Sequence, residues 1–496
     1  MEKLLKKHFG YDAFRPLQKE IIEHVVTGND CLVLMPTGGG KSLCFQLPAL
    51  ILPGIAIVIS PLISLMKDQV DALCANGITA DLINSTLSPK QITTVMEKAT
   101  SGALKILYIA PERLGATGFL DFLHTLKINI IAIDEAHCIS QWGHDFRPDY
   151  RNLSLLKTQF PALPIIALTA TATEHVRKDI VKQLGLHDPE LFISSFNRPN
   201  LRYEVLPKKD SFLTISALLA EHHQKSAIIY CFSRNDTETL VDKLRDRGLS
   251  AISYHAGLNA KTRKENQEKF IKDEVNIMVA TIAFGMGIDK PDVRLVIHHS
   301  LPKSIEGYYQ ETGRAGRDGL PAQCVLLFSY ADKFKQDFFI SNIGDDDERE
   351  KAQENLEKVL RYGNLKTCRR QFLLNYFNED YDKQNCMSCD ICTGQTIPQT
   401  PQIKKPLFAV PVFKINQSYD KVLFEKLRAF RMEESQRLHV PPYVVFGDKA
   451  LVEMATFLPT NQEAFLEIYG VGNQKLAQFG EKFMSIIRHH KNTFSL

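Results

Sequence analysis

The chain has 496 residues, 44% of them hydrophobic and 24% charged, with a net charge of +3. That length suits roughly three or four domains of ordinary size, and the composition is that of a soluble globular protein. Near-neutrality neither demands nor excludes a nucleic-acid partner; no apolar run reaches the roughly 18–20 residues of a membrane span, and the N-terminus lacks a signal-peptide core, so a cytoplasmic protein without a membrane partner is expected.

Taken in chain order, the first marked segment is Phe9-Gly-Tyr11-Asp-Ala-Phe14-Arg15-Pro-Leu-Gln18. The Gln18 amide can read the donor–acceptor edge of adenine, and Tyr11 or Arg15 can stack on its face. An ordinary helix start is the alternative. Next comes an apolar strand, Cys31-Leu-Val-Leu-Met35, running into Pro36-Thr37-Gly38-Gly39-Gly40-Lys41-Ser42 and then a helical pattern. Strand, glycine loop and Lys-Ser at a helix start form a phosphate cradle: loop N–H groups point at the anion, Lys41 adds charge and Ser42 can ligate Mg²⁺. The usual first glycine is Met35 here, and a glycine-rich surface turn is the plain alternative.

Short β-branched strands follow at Ile55–Ile59, Lys105–Ile109, Ile130–Ile133 and Ile165–Leu168, as buried parallel strands should look. The third ends in Asp134-Glu135-Ala136-His137. A carboxylate at a strand end for Mg²⁺, with a second beside it for the attacking water, is the other half of an ATPase. Trp142, the only tryptophan, stands between polar residues on an expected loop, close to Phe146 and Arg147. Its flat face can stack on an unpaired base, or else anchor the loop to the core.

A second series runs through Ala227–Tyr230, Ala251–Tyr254, Asn276–Val279, Val293–Ile297 and Cys324–Phe328. Two α/β blocks of similar size predict a duplicated architecture with a boundary near Phe196-Asn-Arg-Pro199. Within the second block, Gln310-x-x-Gly-Arg314-x-Gly-Arg317 puts two guanidiniums on one side of a helical turn, able to reach across a cleft to a transferring phosphoryl. Residues 330–395 become helical and charged. Of ten cysteines, six are scattered and read as buried thiols; Cys368, Cys386, Cys389 and Cys392 cluster as C-x17-C-x2-C-x2-C. Four thiolates at that spacing suit structural Zn²⁺, with an iron–sulfur cluster or unmetallated thiols as alternatives. Arg369 and Arg370 are expected to face nucleic acid or solvent. Prolines at 398, 401, 406 and 411 mark an extended linker, after which Val422, Leu423, Leu427 and Phe430 open a small helical module. There, Gly470-Val-Gly472 before a helix can present N–H groups to a phosphate, but ten Lys/Arg against nine Asp/Glu over 418–496 leave protein contact almost as good a reading.

In order, Gln18, the Gly-Lys-Ser loop, Ser60-Pro-Leu-Ile-Ser-Leu-Met-Lys-Asp-Gln69, Asp134-Glu-Ala-His137, Leu168-Thr-Ala-Thr-Ala-Thr173 and Gln310-Glu-Thr-Gly-Arg314-Ala-Gly-Arg317 resemble a superfamily 2 helicase. Cys138-Ile-Ser-Gln-Trp142-Gly-His144-Asp-Phe146-Arg147-Pro148 resembles the aromatic-rich loop of RecQ DNA helicases, and 418–496 resembles an HRDC module. The resemblance implies an α/β protein with two tandem RecA-like domains (1–196 and 197–335), a helical zinc-binding subdomain (336–395), a linker (396–417) and an all-α HRDC domain (418–496). It implies an ATP-dependent 3′–5′ DNA helicase of repair and recombination, using ATP, Mg²⁺ and Zn²⁺, with single-stranded and forked or tailed duplex DNA as partners. Single-strand-binding or recombination proteins are further partners it allows, as is nucleoid association in a bacterium.

By the same resemblance, Lys41, Asp134, Glu135 and Arg317 are catalytic. Tyr11, Arg15, Gln18, Thr37, Gly38, Gly39, Gly40, Ser42, Asp289 (near the ribose), Gln310 and Arg314 bind nucleotide. Lys67, Trp142, His144, Phe146 and Arg147 meet DNA, while His137, Thr169 and Thr171 couple the two sites. An RNA helicase and a non-catalytic DNA-binding scaffold are the rival readings. Many members carry a winged helix of roughly a hundred residues before the HRDC module. The roughly 25 residues left here between Cys392 and that module are too few for one, so that element is expected to be missing.

Overall fold

Continuous β-branched runs bury both faces of a strand, and such strands pair in parallel once helices cover the sheet. The computed structural model, which describes residues 1–141, 145–284, 290–383, 385–394, 419–438 and 440–494, has two sheets of this kind. The first contains β1 (Cys31–Leu34), β2 (Ile55–Ile59), β3 (Ala80–Ile83), β4 (Ile106–Ile109), β5 (Ile128–Ile133), β6 (Ile165–Thr169) and β7 (Glu190–Ile193), in the order β3-β4-β2-β5-β6-β1-β7. The second contains β8 (Leu201–Pro207), β9 (Ser226–Tyr230), β10 (Ala251–Tyr254), β11 (Ile277–Ala280), β12 (Val293–His298) and β13 (Ala322–Phe328), in the order β10-β11-β9-β12-β13-β8. Every pairing in both is parallel. These are two RecA-like lobes.

Three strands escape the sequence pattern. β3 carries Asp81, β7 has Leu191 and Ile193 exposed at the sheet edge, and β8 alternates; none has the uninterrupted apolar run of a central strand. Helices Ala331–Ser341, Asp346–Gly363 and Arg369–Tyr376 pack on the second lobe, where Tyr362, Leu373, Cys368 and Cys389 join the core of Tyr203, Tyr308 and Cys324. Cys74 is exposed, unlike the other scattered thiols, because it lies on an outer turn of helix Ile63–Ala75. Among the described residues, no helix is long and apolar enough to cross a membrane.

The C-terminal helices enclose their own core around Leu427, Phe446, Leu451, Phe465 and Phe483. Leu423 and Leu427 face that core as expected, whereas Val422 is exposed on the far side of the helix. The module is docked on both lobes. On the first, Gly470 N donates to Gly10 O at 3.1 Å and Lys6 Nζ to Leu466 O at 2.7 Å. Gly10 has φ +72°, and a Cβ there would lie 2.4 Å from Val471 N, so only glycine permits the approach. The Gly470–Gly472 turn is therefore occupied by the first lobe rather than open to a phosphate.

On the second lobe, Asp448 meets Arg431 at 2.9 Å and Arg294 at 3.5 Å, and Arg428 donates to Gln224 O at 3.0 Å. Burial works to raise the pKa of Asp448, but Arg431, Arg294, Lys225 and Arg428 hold it well below the usual carboxylate range. A carboxyl depressed in this way adds stability above its unfolded pKa of about 4 and loses it as pH falls further, so the seam should persist at neutral pH and fail only in acid. Asp448→Asn leaves the buried Arg431 short of charge, while Arg294 keeps its pair with Asp318. It should cost about 3–5 kcal/mol at the seam and expose the module to limited proteolysis. Wild-type protease resistance in the variant would refute this.

Candidate active site in the cleft between the lobes

Ligands of open parallel sheets sit beyond the carboxyl ends of the strands, where the strand order changes direction. In the first lobe that edge carries the loop after β1, Asp134 after β5 and Thr169 at the end of β6. A cavity of about 540 Å³ opens there, lined by Tyr11, Arg15, Gln18, Thr37, Gly38, Gly40, Lys41, Ser42, Asp134 and Glu135 from the first lobe and by Gln310, Arg314 and Arg317 from the second. Most of the nucleotide-site residues expected from sequence thus converge on one space. Gly39 lies in the same loop, beside a neighbouring cavity of about 550 Å³. Asp289 lies outside the described residues, as do Trp142 and His144.

The phosphate loop is held by its carbonyls. Arg15 Nη1 donates to Gly38 O, Gln18 Nε2 to Gly40 O at 3.1 Å and Arg198 Nη1 to Thr37 O. A trans peptide points its N–H opposite to its C=O, so each held carbonyl fixes the direction of the next amide. Gly40, at φ +88°, has Gln18 Nε2 where a Cβ would stand, 2.4 Å away. Gln18 is buried, and its Oε1 accepts from Arg15 N at 2.8 Å. Part of its amide is therefore spent on the loop, a role that sequence reading missed.

Asp134 N bonds Ile59 O at 2.9 Å, which fixes the carboxylate at the sheet edge. Glu135 takes a left-handed turn at φ +47°, and its N–H donates to Asp134 Oδ1 at 3.0 Å. From there a line of polar contacts crosses the cleft. Glu135 Oε2 lies 3.3 Å from His137 Nδ1, which is 2.8 Å from Thr169 Oγ1. Thr171 N donates to Thr169 Oγ1 at 3.3 Å, and Gln310 Nε2 of the second lobe donates to Thr171 Oγ1 at 3.1 Å. His137, Thr169 and Thr171 are buried, so these contacts are shielded from water.

Beside this line, Arg147 Nε donates to Asp145 Oδ2 at 2.8 Å and its Nη1 to Pro61 O at 3.0 Å. Burial opposes the charge on Arg147, but Asp145 raises its pKa and keeps it cationic. Phe146 lies beneath Arg151, whose guanidinium is 5.0 Å from the ring centre. Lys67 is exposed and reaches within 3.9 Å of Glu268 on the second lobe. The C-terminal module adds a residue that sequence reading did not find: Tyr469 lines the main cavity, 5.0 Å from the Tyr11 ring, and its hydroxyl lies 3.1 Å from Arg15 Nη2.

Cys368, Cys386, Cys389 and Cys392 bring their sulfurs within 4.8 Å of one another. Backbone N–H groups of Gln371, Cys389, Cys392 and Cys386 donate to the sulfurs of Cys368, Cys386, Cys389 and Cys392 at 3.3–3.5 Å. Thiol donation from Cys368 and Cys389 holds the Cys386 pKa well below the thiol range and pushes Cys368 up. Four convergent sulfurs, each accepting an N–H, fit a closed tetrahedral zinc site. Arg369 and Arg370, expected outside, are buried instead: Arg369 pairs with Asp390 at 2.6 Å, and Arg370 donates to the carbonyls of Arg198 and Leu201 at 2.6 Å each. Arg370, which also donates to Ser388 Oγ at 3.2 Å, ties the cysteine-bearing turn to the lobe junction.

Residues 15–180 match the DEAD/DEAH box helicase family, 210–319 the helicase conserved C-terminal domain, 330–393 the RecQ zinc-binding family and 420–487 the HRDC domain. Over 98% of its length the chain is 38% identical to the ATP-dependent DNA helicase RecQ of Haemophilus influenzae, of which it covers 96%. The chain belongs to the RecQ helicase family. To the Bacillus subtilis RecQ it is 35% identical, covering 98% of each. The Haemophilus RecQ alignment spans 592 positions, and 98% of 496 residues fills only about 486, so roughly a hundred positions of the RecQ relative face none here. Among solved structures, the helicase Lhr of Mycobacterium smegmatis bound to ssDNA and AMP-PNP aligns with TM-score 0.54 at 22% identity, over 67% of this chain and 48% of that one. Dbp5 of S. cerevisiae bound to RNA and ADP BeF3 aligns with TM-score 0.52 at 18% identity, over 71% and 94%. These two share the RecA-like fold of the RecQ lobes. The helicase and zinc-binding matches, with the cysteine cluster, support ATP, Mg²⁺ and Zn²⁺ as cofactors.

Proposed function

We propose that this RecQ protein is an ATP-dependent DNA helicase that translocates 3′ to 5′ on single-stranded DNA and unwinds duplex in repair and recombination. The carrying observation is one cavity that joins a phosphate loop and an acidic pair on one lobe to two arginines on the other. We assign 1–196 and 197–335 to the two lobes, 336–395 to the zinc subdomain, 396–417 to the linker and 418–496 to the HRDC domain. Thr37 to Gly40 and Lys41 cradle phosphate, while Ser42 and Asp134 hold Mg²⁺, which when bound neutralises charge on the phosphoryl oxygens. Glu135 orients the attacking water and accepts its proton. Arg317, with Arg314 and Gln310 beside it, completes the site when the lobes close. Tyr11, Arg15 and Gln18 take the base, and Asp289 the ribose.

The line Glu135–His137–Thr169–Thr171–Gln310 supports a coupling role for the middle three, linking the water-handling carboxylate to the second lobe. Lys67, Trp142, His144, Phe146 and Arg147 contact single-stranded DNA, so that strand binding biases the same line. We read it as a cytoplasmic enzyme, nucleoid-associated in a bacterium, with single-strand-binding or recombination proteins as further partners. DNA-stimulated ATP hydrolysis tests the reading at once, and a matched RNA oligonucleotide should stimulate far less. Trp142→Ala should leave basal turnover nearly unchanged and remove most of the stimulation; a parallel fall of both rates would make Trp142 a structural anchor.

Roughly a hundred positions of the Haemophilus RecQ face no residue here, and a winged helix of that size does not fit between the zinc subdomain and the HRDC domain. The enzyme should therefore need a 3′ single-stranded tail and unwind blunt duplex poorly. Cut after Gly394, it should keep DNA-stimulated ATPase. Efficient blunt-end unwinding by the full chain, or loss of stimulation in the truncation, would contradict this.

A further inference from the structure

Arg198 sits at the junction between β7 and β8, in the boundary segment Phe196-Asn-Arg-Pro199 but outside every motif given a chemical role from the sequence, and is only 9% exposed. Its guanidinium faces carbonyls on both sides of the cleft. Nη1 donates to Thr37 O of the phosphate loop; Nη2 donates to Ala315 O at 3.0 Å and Gly316 O at 2.8 Å, the two residues between Arg314 and Arg317. Asn200 reinforces the second set: its Nδ2 donates to Gly316 O at 2.8 Å and Leu320 O at 2.9 Å, while its Oδ1 accepts from Arg198 Nε at 3.4 Å. Among the described residues no carboxylate pairs with Arg198, and burial lowers its pKa. A buried cation is tolerated there because its donors are met by carbonyl dipoles.

The two loops it joins are in close approach. A Cβ on Gly38 would stand 3.3 Å from both Arg198 Nη1 and Arg317 Cα. The junction itself is clamped from the zinc subdomain, since Arg370 holds Arg198 O and Leu201 O, and Glu379 accepts from Phe196 N at 2.6 Å.

We propose that Arg198 is a positioning residue for ATP hydrolysis: it fixes the arginine loop of the second lobe against the phosphate loop of the first, and so sets where Arg317 stands. This rests on the ATPase reading above. Four of its hydrogen bonds go to the second-lobe segment and Asn200, counting a longer one from Nη1 to Gly313 O at 3.4 Å, and one to Thr37, so Arg198 travels with the second lobe and the Thr37 bond is the one made on closure. Lys cannot replace it, because one ammonium on a flexible stem lacks the fork that spans two loops.

The test compares Arg198→Lys, Arg198→Ala and Asn200→Ala with the parent chain. Measured quantities are kcat and KM for DNA-stimulated ATP hydrolysis, affinity for a fluorescent ATP analogue and thermal melting. Arg15 and Gln18 still hold Gly38 O and Gly40 O in all three variants. ATP affinity and KM should therefore stay within about threefold, while kcat falls at least about tenfold in both Arg198 variants and less in Asn200→Ala. If Arg198→Ala does not fold, the Lys and Asn200 variants carry the comparison. Unchanged kcat, or a fall in kcat matched by lost ATP binding and melting, would overturn the inference. A parent chain that binds ATP but does not hydrolyse it would instead overturn the helicase reading.

Discussion

Glu135→Gln should lower DNA-stimulated ATP turnover by at least about 10²-fold, the scale of one positioned acid–base group, while ATP and single-stranded DNA still bind. The side chain keeps its shape, and the left-handed turn at φ +47° does not depend on its charge. The N–H that donates to Asp134 Oδ1 is backbone and also survives. What disappears is the carboxylate that accepts a proton from water and lies 3.3 Å from His137 Nδ1. An amide at that position can still hydrogen-bond the imidazole, so the line to Thr169 and Gln310 should remain joined and DNA affinity unchanged. Single-turnover hydrolysis with excess enzyme separates chemistry from product release. Turnover near that of the parent chain would remove Glu135 from its assigned role.

The chemistry of the cleft was legible because it is written in short contiguous segments. Gly38 to Ser42 and Asp134-Glu135 each follow a strand whose apolar run announces burial, so the fold brings them to one sheet edge, while Gln310 to Arg317 is recognisable as one contiguous motif. Three of the four edge strands were not legible in the same way. β3, β7 and β8 are half-solvated or alternating, and their residues lack the uninterrupted burial that marks a central strand. Residues acting over long sequence separations were also hidden. Arg198 meets Thr37 across 161 positions, Arg370 meets Arg198 across 172, and Tyr469 meets Arg15 across 454. None of the three stands in a local pattern that tells its partner, and only the folded chain supplies one. Arg369 and Arg370 misled for the same reason: consecutive arginines at a helix start suggest solvent, and their carbonyl and carboxylate partners lie in distant segments.

Cys389→Ala should lose the bound zinc, lower the melting temperature and also slow ATP hydrolysis. Cys389 is 1% exposed, its sulfur accepts from Cys392 N and its own backbone N–H donates to Cys386 Sγ, so loss of the sulfur breaks the ligand set and loosens the turn that builds it. Structural zinc is worth about 10–16 kcal/mol in isolated zinc-finger peptides; the loss here should be smaller, because Cys368 and Cys389 also pack in the second lobe's core. The effect on catalysis follows from the two flanking residues. Asp390 pairs with Arg369 and accepts from Val205 N of β8 at 3.0 Å, and Ser388 accepts from Arg370 Nη2 at 3.2 Å. Releasing that turn frees Arg370, which holds the carbonyls of Arg198 and Leu201 at the lobe junction. Metal analysis should find one zinc per parent chain and much less in the variant, and the fall in kcat should exceed any change in ATP affinity. Iron in the parent protein, or no metal, would refute the zinc assignment; a variant that melts early yet hydrolyses ATP normally would disconnect the cysteine cluster from the cleft.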